Sequence, residues 1–114
     1  MQIPGEAVRL CVYIGVNDTY GSEPLVDAIV RRARENRMAG ATALRGIAGF
    51  GASSHIHRID LVLAHDLPVV IQIIDSADKI DAFLPLLQAM IGTGLVTRET
   101  VTVLRYGATT NGQP

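Results

Sequence analysis

The sequence has few of the residues that mark secreted, nucleic-acid-binding or membrane-spanning proteins. Its single cysteine, Cys11, excludes an internal disulfide and fits a reducing compartment, so we expect a cytoplasmic protein. Ten basic and eleven acidic side chains give a net charge of −1, which leaves no positive excess for binding nucleic acid or anionic membranes. No apolar run approaches the roughly 20 residues that a transmembrane helix needs, and we expect neither a signal peptide nor membrane insertion.

The amino-acid composition indicates one folded domain. Hydrophobic residues make up 48% and charged residues 18% of the 114 residues, whereas a disordered chain has low hydrophobicity and high net charge. The length suits a single domain over residues 1–114. We expect its core to span about residues 8–106 and the small, polar tail over 107–114 to fray.

Hydrophobic periodicity predicts alternating strands and helices. The predicted strands lie at 8–14, from 41 toward 51, at 69–74 and at 100–106. A first helix is predicted to begin near Ser22 and end before Gly40, and a second to be capped by Asp75 or Ser76 and to contain Pro85. The order β-α-β-β-α-β predicts an α+β fold, a ferredoxin-like sandwich with a four-stranded antiparallel sheet and both helices on one face.

This arrangement leaves the second face of the predicted sheet without cover. Cys11, Tyr13, Val101 and Val103, or the residues that alternate with them, are expected on that face. Exposed apolar area of more than a few hundred Å² usually marks an interface. The pattern therefore predicts a homo-oligomer.

Glycines crowd the end of the predicted second strand at Gly46, Gly49 and Gly51. Glycine weakens a strand, and one reason to have it there is the close approach of backbone N–H groups to a phosphate or another anion. A bulge or a sharp bend explains the same residues without a ligand. The run lacks a lysine and matches neither a Walker loop nor a dinucleotide-binding fingerprint.

Three motifs together resemble the PII-like signalling proteins. They are Arg45-Gly46-x-x-Gly49-Phe50-Gly51, Gly92-Thr93-Gly94-Leu95-Val96 and Val103-Leu104-Arg105-Tyr106-Gly107. The first motif is the most specific, and it is most similar to a branch of the superfamily known only as a domain of unknown function. The resemblance covers about residues 8–106.

The resemblance implies a ferredoxin-like subunit that forms a homotrimer. It also implies clefts between subunits that bind a small anionic metabolite, such as an adenine nucleotide, and a loop over 52–67 that docks on a membrane transporter or a regulated enzyme. Carried over by motif position, the loop base and second glycine loop supply ligand-binding residues, and Arg105 supplies a phosphate contact. The implied ligand-binding residues are Arg45, Gly46, Gly49, Phe50, Gly51, Gly92, Gly94 and Arg105.

The sequence departs from the PII pattern at two places. In PII proteins a lysine follows the second glycine loop, whereas Leu95 stands there in this chain. The segment 52–67 contains no tyrosine that could be uridylylated. A monophosphate, a cyclic nucleotide or another small anion therefore remains open as the ligand.

His55 and His57 indicate an alternative, a metal-binding trimer like the CutA proteins. In an extended segment, residues i and i+2 face the same way, so both imidazoles could bind one transition metal, and His65 could join them. Two solvated loop histidines explain the same pattern. Because the sequence shows no nucleophile–base pair and no paired carboxylates at a suitable spacing, we expect no enzyme; a scaffold without a ligand also remains open.

Overall fold

The structure, a computed structural model, describes residues 4–50 and 67–107. In this part of the chain it contains six strands and two helices. These are β1 (Gly5–Gly15), β2 (Thr19–Tyr20), β3 (Glu23–Pro24), α1 (Leu25–Glu35), β4 (Ala41–Arg45), β5 (Pro68–Asp75), α2 (Ala77–Met90) and β6 (Leu95–Val103).

Four of the strands form one antiparallel sheet in the order β4-β5-β1-β6. The strands β2 and β3 form a separate two-residue hairpin ahead of α1. Without that hairpin the order is β-α-β-β-α-β, so the predicted α+β fold with a four-stranded antiparallel sheet and two helices is confirmed. Neither helix in the described ranges has the length and apolar character that crossing a membrane requires.

The core lies between one face of the sheet and the two helices. Alternate residues of the two central strands, such as Leu10 and Val12 in β1 and Ile71 and Ile73 in β5, are at most 1% exposed. Because side chains alternate between the faces of a strand, these residues lie on one side of the sheet. The helices contribute the rest of this core with Leu25, Ala28, Ile29, Ala33, Ile80, Phe83, Leu87 and Met90.

The start of the first helix was predicted wrongly. The helix begins at Leu25, and Pro24 holds the N-cap position with an extended backbone and no side-chain cap bond. Ser22 lies instead in the turn between β2 and β3, because Tyr20 pairs with Glu23 across it. The Glu23 carboxylate accepts two hydrogen bonds from Arg31 of α1, at 2.5 and 2.9 Å, and this ion pair lowers the pKa of Glu23.

Two strands also differ from their predicted limits. The strand β4 ends at Arg45, so the glycines that follow it lie beyond the sheet rather than within a strand. The last strand runs over Leu95–Val103 instead of 100–106, and it pairs with β1 along its whole length. It is an edge strand with Arg98 and Glu99 exposed in its middle, and these charges interrupt the hydrophobic alternation on which the prediction relied.

The two residues predicted as helix caps have different roles. Ser76 is the N-cap of α2, and its hydroxyl accepts a hydrogen bond from the Lys79 N–H at 3.3 Å. Asp75 is completely buried, and its carboxylate accepts from the N–H groups of Ser76 at 2.7 Å and Ala39 at 2.8 Å. Asp75 therefore ties the connection between α1 and β4 to the start of α2.

Lys79 adds a second tie to the same connection. Its ammonium group donates to the carbonyl oxygens of Asn36 at 3.2 Å and Arg37 at 3.1 Å, just after the end of α1. A cation at this position also interacts favourably with the negative end of the helix dipole. The connection over 36–40 is thus held to the start of α2 by three hydrogen bonds from two side chains.

We predict that Asp75→Asn lowers the free energy of unfolding by about 1–3 kcal/mol, because an amide group can accept from only one of the two N–H groups and leaves the other buried without an acceptor. Denaturant unfolding followed by circular dichroism measures this change. The matched control Asp78→Asn alters an exposed carboxylate in the first turn of the same helix and should cost less than about 1 kcal/mol. Equal effects of the two substitutions would contradict the role assigned to Asp75.

Candidate functional site

The sheet face opposite the helices, called the open face below, carries an apolar row across all four strands. Leu44, Val70, Tyr13 and Leu95 are successive register partners, and partners across antiparallel strands project from the same face. Leu44 is 50% exposed, Tyr13 39% and Leu95 53%. Large apolar side chains that line up and remain exposed are typical of a surface that another protein covers.

The open face is polar and charged in its middle. The row next to the apolar row consists of Thr42, Gln72, Cys11 and Thr97. In the following row, Arg9 donates to Glu99 at 2.8 Å across β1 and β6, and this hydrogen bond and the charge of Glu99 raise the pKa of Arg9. Tyr13, Cys11, Val101 and Val103 all project from this face, as predicted from the alternation.

Both glycine segments lie at the same end of the sheet, called the glycine end below. Gly46 follows β4, and its N–H donates to the Pro68 carbonyl at the start of β5 at 2.7 Å. Gly94 precedes Leu95, the partner of Tyr13 near the end of β1. The strands β4 and β6 are, however, opposite edges of the sheet, so about 14 Å and two strands separate the segments.

Packing within the chain accounts for two of these glycines. A Cβ atom on Gly46 would lie 2.6 Å from the Pro68 Cγ atom, and one on Gly94 would lie 2.9 Å from the Tyr13 carbonyl oxygen. Gly49 has a φ of +141°, a value that favours glycine. Gly92 differs, because a Cβ there would meet no described atom within 4 Å.

Several residues next to these glycines are exposed or line an open cavity. Gly92 and Gly94 line an open cavity of about 380 Å³ with Gln88, Ile91 and Val96. Beyond β4, Ile47 is 90% exposed and Phe50 is 72% exposed. The glycine end therefore presents exposed apolar side chains after β4 and an open cavity beside the start of β6.

Arg105 lies away from the glycine end. The strand β6 separates it from Gly94 by nine residues, a length of about 30 Å. Arg105 instead lines a second cavity of about 240 Å³, together with Thr42, Gln72, Ile74, Val103 and Tyr106. This far-end cavity lies on the open face, and a single chain does not bring Arg105 together with the glycine segments.

A tyrosine closes one side of the far-end cavity. The Tyr106 hydroxyl donates to the Ala39 carbonyl at 2.8 Å, and Ala39 and Gly40 supply the cavity wall on the β4 side. Since β6 and β4 are opposite edges of the sheet, the residues after β6 cross the open face to reach Ala39. The Ala39 peptide is thus held at its N–H by Asp75 and at its carbonyl by Tyr106.

Several predicted site residues lie outside the described residues. These are Gly51, His55 and His57, together with the predicted docking loop up to residue 66. Within residues 4–50 and 67–107, no three histidine, cysteine, aspartate or glutamate side chains come together as metal ligands. The metal site at His55 and His57 stays a prediction.

Sequence reasoning missed Thr42 and Gln72 as lining residues. Gln72 had a visible signal, because it is the one polar residue in the β-branched run at 69–74. The signal could not be interpreted without the register, which places Thr42 directly opposite Gln72. The contribution of 105 and 106 to the same cavity depends on how the chain turns after β6.

The fold defines the class of the protein. It is similar to that of CPII, a nitrogen regulatory PII-like protein from Thiomonas intermedia K12 whose structure was solved with bound ADP, AMP and bicarbonate. The TM-score is 0.53 at 15% identity, and the match covers 88% of this chain and 90% of CPII. A second CPII structure, bound to ADP and bicarbonate, gives a TM-score of 0.51 at 17% identity. The chain therefore has a PII-like fold.

The family follows from the sequence. Residues 7–103 match DUF190, described as "Uncharacterized ACR, COG1993", and the chain belongs to this family. It is 34% identical over 96 residues to a UPF0166 protein of Aquifex aeolicus, covering 83% of this chain and 90% of the relative. It is 29% identical over 93 residues to a UPF0166 protein of Methanocaldococcus jannaschii, covering 80% and 85%. The resemblance to PII-like proteins and to a branch of unknown function is confirmed.

We predict that Gly94→Ala destabilises the fold by about 1–3 kcal/mol, because its Cβ would press against the Tyr13 carbonyl oxygen. Gly92→Ala is the matched control. Its Cβ has open space, so the stability should stay constant or rise by up to about 1 kcal/mol through the loss of unfolded-state freedom. Thermal and urea unfolding of both variants measure the difference, and a Gly92→Ala variant as unstable as Gly94→Ala would refute this distinction.

Proposed function

We propose that the protein is a PII-like regulatory protein that binds a small anionic metabolite in clefts between the subunits of a homotrimer. An adenine nucleotide is the proposed ligand. One observation carries the proposal: the two glycine segments lie at the same end of the sheet but on opposite edges. Each chain therefore offers two half-sites that face away from each other.

A neighbouring subunit can bring the two half-sites together. The glycine segment before β6 in one subunit would then lie opposite the segment after β4 in the next. The exposed row of Leu44, Tyr13 and Leu95 lies at this same end of the open face. Association of subunits would therefore cover this row and close the clefts at the same time.

The side chains at this end suit a nucleotide. Arg45 offers a guanidinium group for an anionic phosphate, and the exposed ring of Phe50 offers a surface on which a purine could stack. Gly92, which has open space in place of a side chain, lets a ligand approach the backbone closely. In its own chain Arg105 is about 30 Å along β6 from Gly94, so it would join a cleft only across a subunit boundary.

The choice of ligand is supported by the similar fold of CPII, whose structure holds ADP and AMP. Family membership and the PII-like fold favour a regulatory role over catalysis. We propose that ligand binding in the cytoplasm alters the segment 52–67 next to Gly51. That segment would then dock on a partner such as a membrane transporter or a regulated enzyme.

Isothermal titration of the purified protein with AMP, ADP, ATP and cyclic AMP tests the proposal. We expect heat from at least one nucleotide at one site per subunit, and a loss of affinity of about tenfold or more in Arg45→Gln, because a charge-assisted hydrogen bond to phosphate is removed. Arg32→Gln, which removes a half-buried guanidinium on α1 that pairs with Glu35 at 3.6 Å, should bind like the parent protein. No heat from any of the four nucleotides would contradict the proposal.

Gly92→Ala provides a second test at the other half-site. The substitution should leave the fold intact, since its Cβ meets no described atom within 4 Å. It should weaken nucleotide binding if a ligand occupies that space. Unchanged affinity in Gly92→Ala together with reduced affinity in Arg45→Gln would place the ligand at the β4 edge alone and argue against a cleft built from both edges.

A further inference from the structure

We infer that Pro68 is a positioning residue for the proposed ligand site, and that its ring fixes the turn from which Phe50 projects. The inference rests on the proposed function, because it concerns how the half-site after β4 is held ready for a nucleotide base. Pro68 is the first residue of β5 and pairs with Gly15 of β1, so its own position is set by the sheet. It acts through Phe50 and needs no contact with the ligand.

The missing N–H group of Pro68 shapes the end of β4. Gly46 lies opposite Pro68 when the register of β4 and β5 is continued by one residue, and its N–H donates to the Pro68 carbonyl at 2.7 Å. Such a pair in an antiparallel sheet normally exchanges two hydrogen bonds, but proline has no N–H for the second. The ladder therefore ends here, in agreement with the end of β4 at Arg45.

The ring of Pro68 supplies two contacts beyond that single hydrogen bond. A Cβ atom on Gly46 would lie 2.6 Å from the ring Cγ atom and 3.3 Å from the Cδ atom, so the ring occupies the space that a side chain at residue 46 would need. A Cβ atom on Gly49 would lie 3.4 Å from the same Cγ atom, which is an ordinary van der Waals contact. The backbone therefore passes the ring at Gly46 and comes back to it at Gly49.

Burial does not fix this turn. The chain bends at Ile47 and Ala48, and residues 47–50 are all exposed. Gly49 has a φ of +141°, a conformation that glycine adopts readily and other residues do not. Within the part of the chain that the structure describes, the packing that holds the turn is therefore that of Gly46 and Gly49 against the Pro68 ring.

The position of Phe50 follows from this packing. Phe50 is the residue after Gly49, so it leaves the turn where the backbone returns to Pro68. An aromatic ring that is held in place before binding avoids the cost of being ordered by the ligand. Arg45, in contrast, is held within β4 by its pairing with Val69. Loss of the Pro68 ring should therefore act on the ligand through Phe50 and leave the sheet intact.

Isothermal titration with ADP tests this route. Pro68→Ala should weaken ADP binding by about threefold or more, because the base loses its stacking geometry. Phe50→Ala should weaken it at least as much, and the double variant should bind ADP no more weakly than Phe50→Ala alone, because the two residues act through one contact. Pro24→Ala removes an exposed proline at the start of α1 and is the matched control that should bind like the parent. Full affinity in Pro68→Ala, or losses that simply add in the double variant, would overturn the inference.

Unfolding of the ligand-free protein tests the packing itself. The φ angle of Gly46 is not positive, so alanine is disfavoured there by the ring and not by the backbone conformation. Gly46→Ala should lower the unfolding temperature by about 4 °C or more. In a Pro68→Ala background the same substitution should cost less than half as much, because the ring is gone.

The ligand-free protein also separates failure of this inference from failure of the proposed function. Nuclear magnetic resonance should show shifted amide resonances for Gly49 and Phe50 in Pro68→Ala but not in Pro24→Ala. Unshifted resonances, or an equal cost of Gly46→Ala in both backgrounds, would refute the role of Pro68 whether or not a nucleotide binds. Absence of ADP binding to the parent protein, with these two results as expected, would contradict the proposed function and leave the packing of the turn on Pro68 intact.

Discussion

A buried carboxylate, that of Asp75, holds together two parts of the chain that are 36 residues apart. One oxygen accepts from the first residue after β5 and the other from the peptide that leads into β4. A buried charge is costly unless hydrogen bonds compensate it, and here both oxygens have backbone donors. This tie fixes the residue two positions before β4, and the pairing of β4 with β5 then places Thr42 and Arg45 at the edge of the sheet.

The same peptide links the core to the open face. The Ala39 N–H is bonded to Asp75 in the core, while its carbonyl accepts from Tyr106 on the other side of the sheet. The far-end cavity is therefore framed by a connection that the core itself fixes.

The two faces of the sheet differ in a way that bears on the proposed association of subunits. The helices cover one face, and the chain leaves the other with an exposed apolar row and, two rows away, an Arg9–Glu99 ion pair. An apolar row favours coverage by another subunit, whereas a charged pair is costly to bury unless its geometry is good. In the proposed trimer, these features together would favour a particular orientation of the neighbouring subunit over a loose hydrophobic contact.

Much of the fold could be predicted from the sequence, and the failures have physical causes. The buried strand at 69–74 was evident because five of its six residues are β-branched, and every second one faces the core. The edge strand β6 was misplaced because an edge strand tolerates exposed charges such as Arg98, which interrupt that alternation. Ser22 resembled a helix cap, but it lies in the turn of the hairpin formed by β2 and β3. The sequence gives no sign of this hairpin, because it is defined by pairing between the two strands.

The candidate site was less predictable than the fold. Gly46 and Gly94 suggested ligand contacts, but the structure accounts for both through close approach to Pro68 and Tyr13. Whether a glycine makes room for a ligand or for a neighbouring residue depends on contacts between residues distant in sequence. A linear motif does not contain that information. Arg105 was grouped with the glycines by resemblance, whereas the length of β6 places it at the opposite end of the sheet within its own chain.

Native mass spectrometry of the protein as purified from cells tests the central claim most directly, namely that this chain associates to complete its ligand sites. We predict a trimer that carries three equal additional masses of nucleotide size, which are released when the subunits separate under denaturing conditions. A monomer would contradict the account, because the exposed row on the open face and the divided glycine end would then have no partner to complete them.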